Sequence, residues 1–151
     1  MKYCLRTVTW KFHETIELVP ELDGKRRVIV QEPEDIVHNY SSLFKDQVRE
    51  RFVAFWLDSA NKVLGFEVVT EGILNSCLTH PREVFRGAVV ATAAAIIIAH
   101  NHPSENLEPS KEDIAITKQL VEAGKILGIP VHDHIIFAGE SFTSLASLRM
   151  I

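Results

Sequence analysis

An apolar run that ends in two histidines constrains this chain more than any other stretch. Residues 96–98 are three isoleucines, and His100 and His102 follow before Pro103 interrupts the run. In an extended strand, side chains two residues apart project to the same side. The run is therefore predicted to be a strand whose two imidazoles point in one direction.

An acidic residue follows at a spacing that can bring it back to the histidines. Pro109 and Ser110 open a predicted helix, and Asp113 lies one turn into it. Two neutral imidazoles and one carboxylate are the protein ligands of an open zinc site, whose fourth position is left to water. We therefore predict that His100, His102 and Asp113 bind Zn2+.

Each half of this pattern also has an ordinary structural explanation. A lone His-x-His pair is weak evidence for a metal, because histidine serves many polar roles. Ser110 and Asp113 also fit a capping box at a helix start, and the two interpretations are compatible. The metal site is favoured by the conjunction of the two histidines with a serine eight residues later and an aspartate three residues after that.

This spacing resembles the JAMM motif of JAB1/MPN-type metalloproteins, H-x-H-x7-S-x2-D. Further matches narrow the resemblance to the RadC family over about residues 46–140; they are His100-Asn101-His102-Pro103-Ser104, Pro109-Ser110, Asp113, Thr117, Asp133-His134-Ile135-Ile136, Leu74-Asn75-Ser76 and His80-Pro81-Arg82-Glu83. Glu105 departs from the family pattern, which usually has glycine there. This difference affects the shape and charge of the rim of the site but not its ligands.

The resemblance implies a JAB1/MPN-like fold of the α/β (mixed α+β) class, in which a mixed β-sheet like that of cytidine deaminases is flanked by helices. It also implies that Glu50, placed by its E-x-F match with Phe52, is the general base and not a ligand. Ser110 would stabilise the developing oxyanion. The ordinary alternative for Glu50 is a surface acid between Arg49 and Arg51. Full RadC proteins carry an N-terminal helix-hairpin-helix region that binds DNA, and we expect none in this chain.

The rest of the pattern predicts one domain over residues 1–151, with an extension over residues 1–44 and a motif-bearing core over residues 46–140. The predicted elements are strands over residues 7–12, 15–19 and 27–31 with a turn at Asp23-Gly24, a helix from Pro33 through Leu43, a hairpin of residues 52–57 and 63–70, a helix from His80-Pro81 through Ala95, a helix from Ser110 to Leu127 stopped by Gly128, and a strand over residues 129–137. The predicted inward residues are Val84, Phe85, Ala88, Val89, Ala91 and Thr92 on the first core helix and Ile114, Leu120, Val121 and Leu127 on the second.

Asp133 and His134 are neighbours on a predicted strand and therefore face opposite sides of it. At most one of them can point toward zinc, and we expect a supporting or structural role for them.

Composition excludes several classes of protein. The 16 Lys and Arg against 20 Asp and Glu give a net charge of −4 and a pI near 6.0. With only the Lys25–Arg27 cluster as a basic patch, strong nucleic-acid binding is not expected. Cys4 and Cys77 form no C-x-x-C pair, which excludes a zinc ribbon and favours a reduced, cytoplasmic setting. The longest apolar run, residues 88–99, is roughly half of a membrane span.

The leading hypothesis is a zinc-dependent hydrolase that acts on an amide or isopeptide bond of a protein or peptide substrate, although phosphodiester cleavage uses similar metal chemistry. The alternative is a non-catalytic or weakly catalytic module in DNA repair or mobile-element biology. A third possibility is a metal that only stabilises the fold. A hydrolase needs an open zinc position with Glu50 beside it, whereas a structural site closes with a fourth protein ligand.

Overall fold

A computed structural model describes residues 27–72 and 79–151, and within these residues five strands form one mixed sheet. The elements are α1 (Pro33–Tyr40), a 3-10 turn (Ser41–Leu43), β1 (Glu50–Leu57), β2 (Val63–Gly72), α2 (Pro81–Val90), β3 (Ala95–Asn101), α3 (Lys111–Leu127), β4 (Val131–Ala138) and β5 (Ser141–Ser144). The strand order is β2-β1-β3-β4-β5; β3 and β4 are parallel and the other neighbours are antiparallel. The predicted mixed sheet flanked by helices is confirmed.

The sheet separates two hydrophobic cores, because alternate residues of each strand face opposite sides. Phe55 of β1 packs with Ile36 and Tyr40 of α1 on one face. Phe52 of β1 packs with Phe85 of α2 on the other, together with buried residues of α3. Each fully buried side chain of this size contributes roughly 1.5–3 kcal/mol. In the described part of the chain, no helix has the length and apolar character needed to cross a membrane.

The predicted hairpin of β1 and β2 is confirmed, and local turn chemistry closes it. The Asp58 carboxylate accepts hydrogen bonds from the backbone N–H of Ala60 (2.8 Å) and Lys62 (2.9 Å). Asn61 adopts the left-handed conformation, with φ of 57°, which asparagine tolerates better than most residues. The turn residues therefore favour the chain reversal by local hydrogen bonds and local backbone conformation.

The predicted N-terminal hairpin lies mostly outside the described residues. The structure does not describe residues 1–26 or 73–78. These ranges contain the predicted strands 7–12 and 15–19, the Asp23-Gly24 turn, Lys25, Arg26, Cys4, Cys77 and the Leu74-Asn75-Ser76 match. Of the predicted strand 27–31, Ile29 forms a single antiparallel bridge with Lys62. This segment therefore runs beside the start of β2.

Helix α2 is shorter than the sequence predicts. It ends at Val90 instead of Ala95, and Thr92 takes a left-handed conformation (φ 52°) before β3 begins. The prediction of its inward face is right for Val84, Phe85 and Ala88, but Val89 is 52% exposed and Thr92 is exposed. The apolar sequence continues through the turn into the buried strand, so hydrophobicity did not mark the boundary.

The bounds of α3 are confirmed, but its inward face is rotated from the prediction. Leu120 is buried as predicted, whereas Leu127 is 48% exposed and Ile114 and Val121 are only partly buried. The inward row is Asp113, Ile116, Thr117, Leu120 and Gly124. The inward row contains two polar residues, Asp113 and Thr117, so the apolar pattern of the sequence did not identify it. Both residues belong to the site described below. Strand β5 was not predicted.

Candidate metal centre

Strand β3 brings the two histidines to one point at its C-terminal end. His100 is fully buried and pairs with Phe52 of β1 and Ile136 of β4. His102 follows directly after the strand, and the Nε2 atoms of the two imidazoles are 3.0 Å apart. Residues two apart thus point to the same side, as the strand geometry predicts.

The start of α3 brings the carboxylate to the same point. Asp113 is 1% exposed; its Oδ1 lies 3.2 Å from His100 Nε2, and its Oδ2 lies 3.2 Å from His102 Nε2. Zinc–ligand bonds of about 2.0–2.1 Å imply about 3.3–3.4 Å between two ligands of a tetrahedral site. The observed spacings of 3.0 to 3.2 Å fit a zinc ion with little adjustment. Among residues 27–72 and 79–151, no fourth histidine, cysteine or carboxylate joins this group.

A chain of buried hydrogen bonds fixes which nitrogen of His100 faces the group. The Thr117 hydroxyl donates to the Asp113 carbonyl (2.5 Å), so its oxygen must accept from His134 Nδ1–H at 2.6 Å. His134 Nε2 is then an acceptor, and it takes the hydrogen of His100 Nδ1 at 2.8 Å. Burial lowers the pKa of His134 and keeps it neutral, as this chain requires. The Nε2 lone pair of His100 is therefore directed at the point where the donor atoms of His102 and Asp113 also meet.

The other histidine is oriented by the loop that follows it. His102 Nδ1 lies 2.7 Å from the Asn106 carbonyl oxygen, which can only accept, so Nδ1 carries a hydrogen. Its hydrogen bond with Asp113 raises the pKa of His102. Burial alone would raise the pKa of Asp113, but its close contacts with His100, His102 and Ser110 hold it far below its usual range. Asp113 therefore favours the protonated form of His102, and His102 in turn favours the ionised form of Asp113.

Glu50 begins β1 at the mouth of the site. It lines a cleft of about 530 Å3 together with His102, Ser110 and Asp113, and its negative charge helps to raise the pKa of His102. The fold thus brings Glu50 to the predicted ligands across about fifty residues of sequence. Its role as general base stays a prediction.

Ser110 forms the capping box that the sequence predicts. Its hydroxyl accepts from the Asp113 N–H (3.0 Å) and donates to Asp113 Oδ2 (2.7 Å), while the Asp113 carboxylate accepts the Ser110 N–H (2.8 Å). The hydroxyl hydrogen is thus directed at the Asp113 carboxylate and not at the cleft. The oxyanion role of Ser110 stays a prediction and would require the hydroxyl to rotate.

Glu105 stands where the family pattern usually has glycine, and its backbone adopts a conformation that favours glycine. Its N–H donates to the His102 carbonyl (2.9 Å) in a tight turn, and its φ is 58°. A non-glycine residue in this region costs roughly 1–2 kcal/mol, which explains why glycine suits the position. The Glu105 carboxyl group lies next to Gly139 at the rim.

The His80-Pro81-Arg82-Glu83 match lies at the start of α2. His80 is its N-cap, and His80 Nδ1 accepts a hydrogen bond from the Arg82 backbone N–H at 3.2 Å. Arg82 and Glu83 form an exposed ion pair. These contacts are local and are those of a capped helix N-terminus.

Residues 30–150 match the family model of the RadC-like JAB domain. The chain is 49% identical to a UPF0758 protein of Salinibacter ruber over 125 residues, which cover 83% of this chain and 54% of the relative. It is 45% identical to a UPF0758 protein of Desulforamulus reducens over 130 residues (86% and 57%) and 41% identical to UPF0758 protein GSU0386 of Geobacter sulfurreducens over 140 residues (90% and 61%). The chain therefore spans little more than half the length of these relatives. It belongs to the RadC-like JAB domain family.

Proposed function

We propose that this domain is a zinc-dependent hydrolase of the JAMM type that cleaves an amide or isopeptide bond in a protein or peptide. The observation that carries the proposal is the triangle of two Nε2 atoms and one carboxylate beside an open cleft that Glu50 also lines. A structural zinc site normally has four protein ligands, whereas a hydrolytic site keeps one position open. The described residues supply three.

The donor atoms favour zinc over the common oxygen-binding cations. His100 and His102 offer imidazole nitrogens, and Asp113 offers one carboxylate. Magnesium and calcium prefer all-oxygen sets, while imidazole suits zinc and its neighbours in the transition series. When bound, zinc lowers the pKa of a coordinated water toward neutrality and polarises the carbonyl that it contacts.

The protein's own residues would then move the protons. Glu50 would take a proton from the attacking water and later give it to the leaving amine, which needs a carboxylate within about 2.6–3.2 Å or one water farther. Ser110 would turn its hydroxyl from Asp113 toward the developing oxyanion. His134 and Thr117 would hold the His100 ring in place throughout.

The test combines metal analysis with hydrolysis. Elemental analysis should find one zinc per chain, and the His100→Ala/His102→Ala double variant should lose it. The zinc-loaded protein is then assayed on a panel of fluorogenic peptides and lysine isopeptides. Glu50→Gln should retain zinc and lose roughly 10²- to 10⁴-fold in rate, the usual contribution of a general base.

Glu122→Gln is the matched control, because Glu122 is an exposed acid of α3 paired only with Lys125 in the described structure. It should hydrolyse at the wild-type rate. Hydrolysis that persists in Glu50→Gln, or in the double histidine variant without metal, would contradict the proposal. A fourth protein ligand in the zinc-loaded protein would point instead to a structural metal.

A further inference from the structure

Asn101 lies between the two histidines, but its side chain contacts the segment that carries Glu50. It is 4% exposed. Its Oδ1 accepts the Arg51 backbone N–H at 2.8 Å, and its Nδ2 donates to the Arg49 carbonyl at 3.1 Å and, at 3.5 Å, to the Gln47 carbonyl. One side chain therefore bonds to the backbone on both sides of Glu50.

These bonds replace the sheet ladder where it stops. The last paired residues of β1 and β3 are Phe52 and His100. Beyond them, the His102 N–H donates to Phe137 of β4 and not to β1 (2.8 Å). An asparagine amide carries one carbonyl and one NH2 group, like a peptide unit. Asn101 thus continues the pairing to β1 with its side chain after the main chain of β3 has turned away.

Little hydrophobic burial holds the segment before Glu50. Val48 is 89% exposed and Arg49 is exposed. On the other side of Glu50, the Arg51 guanidinium donates to the Leu43 carbonyl at 2.9 Å. Pairing of Glu50 with Gly72 and of Arg51 with Glu71 in β2 holds this backbone from one side. On the other side, the Asn101 side chain bonds to it from the strand that carries the histidines.

We infer that Asn101 is a positioning residue that fixes the backbone of Glu50 beside the metal site. The His-Asn-His tripeptide would then do two jobs, since its histidines present the ligands and its asparagine sets the place of the acid fifty residues earlier. The value of this placement for catalysis rests on the proposed function, but the placement itself does not.

The first test measures native-state hydrogen exchange of single amides in the metal-free protein. The Arg51 amide should be protected in the wild type, because it donates to Asn101. In Asn101→Ala it should exchange near the unprotected rate, while amides at the centre of β1 keep their protection. Asn39→Ala is the control: it removes a similar side-chain bond, from Asn39 to the Asp35 carbonyl in α1, and should leave Arg51 protected.

The second test is a double-mutant cycle on the zinc-loaded protein. Asn101→Ala should bind zinc without the roughly tenfold or greater loss that follows removal of a partner of a ligand. Its hydrolysis should fall toward that of Glu50→Gln. In the Glu50→Gln background, Asn101→Ala should cost nothing more, because it acts through Glu50.

Independent losses that multiply in the double variant would overturn the inference, as would an unprotected Arg51 amide in the wild type. If Asn101→Ala does not fold, Asn101→Ser takes its place in both tests. If no substrate is cleaved by the wild type, the proposed function fails. The placement of Glu50 by Asn101 is then tested without a substrate, by the exchange data and by the position of Glu50 in zinc-loaded crystals of wild type and variant. If Glu50 occupies the same position in both crystals, the inference is refuted.

Discussion

Ser110→Ala separates the structural role of the capping box from its role at the metal. The change removes the bond that the Ser110 hydroxyl accepts from the Asp113 N–H and the bond that it donates to Asp113 Oδ2. The Ser110 N–H still donates to the carboxylate. Loss of a serine N-cap costs about 1 kcal/mol. For a chain of 151 residues this corresponds to a decrease of roughly 2–4 °C in melting temperature.

Ser110→Ala should also weaken the affinity for zinc, and by more than the loss of about 1 kcal/mol in folding stability would cause. The hydroxyl is a hydrogen-bond partner of the Asp113 oxygen that lies 3.2 Å from His102 Nε2. Removing such a partner of a ligand typically costs 10–100-fold in metal affinity. Ser110→Asn keeps a side-chain acceptor for the helix cap, so it should recover most of the stability. If it also keeps full turnover, the oxyanion role of Ser110 is wrong.

The assay has two parts. Denaturant titration of metal-free protein in chelator gives the free energy of unfolding, and competition with a chromophoric chelator gives the zinc affinity. Ser147→Ala is the control, because Ser147 is exposed and lies outside the helices. A Ser110→Ala protein with wild-type stability and wild-type zinc affinity would refute the capping-box argument.

Three further outcomes are expected. His134→Phe keeps an aromatic ring next to Phe52 but removes the acceptor of His100 Nδ1–H; zinc competition should show a 10–100-fold weaker affinity, and an unchanged value would contradict the hydrogen-bond chain. Asp113 raises the pKa of His102, so an NMR titration of the metal-free protein should find this imidazole ionising above the ordinary value of about 6.5, and a value of 6.5 or less is the contrary result. Zinc binding must displace that proton, so apparent zinc affinity should rise as pH rises through this range. Duplex DNA should not bind at submicromolar concentration, and a steep salt slope in a binding titration would count against this expectation.

The sequence by itself determined the features that depend on neighbouring residues. The β1–β2 turn follows from Asp58 and Asn61, and the limits of α3 follow from the Ser110 cap and from Gly128, which adopts φ of 70°. The predicted ligands come from two such local features, a strand end and a helix start. Each short pattern has its own physical cause, so it could be predicted without knowledge of the fold.

Only the tertiary structure decided what depends on strand register and helix packing. The pairing of Phe52 with His100 places Glu50 at the cleft and lets Asn101 reach the backbone on both sides of it. Parallel pairing of β4 with β3, and the rotation of α3, bring His134 to both His100 and Thr117. These contacts join residues 17 to 52 positions apart. No local propensity encodes such distances, because they are fixed only when the two cores close on the sheet.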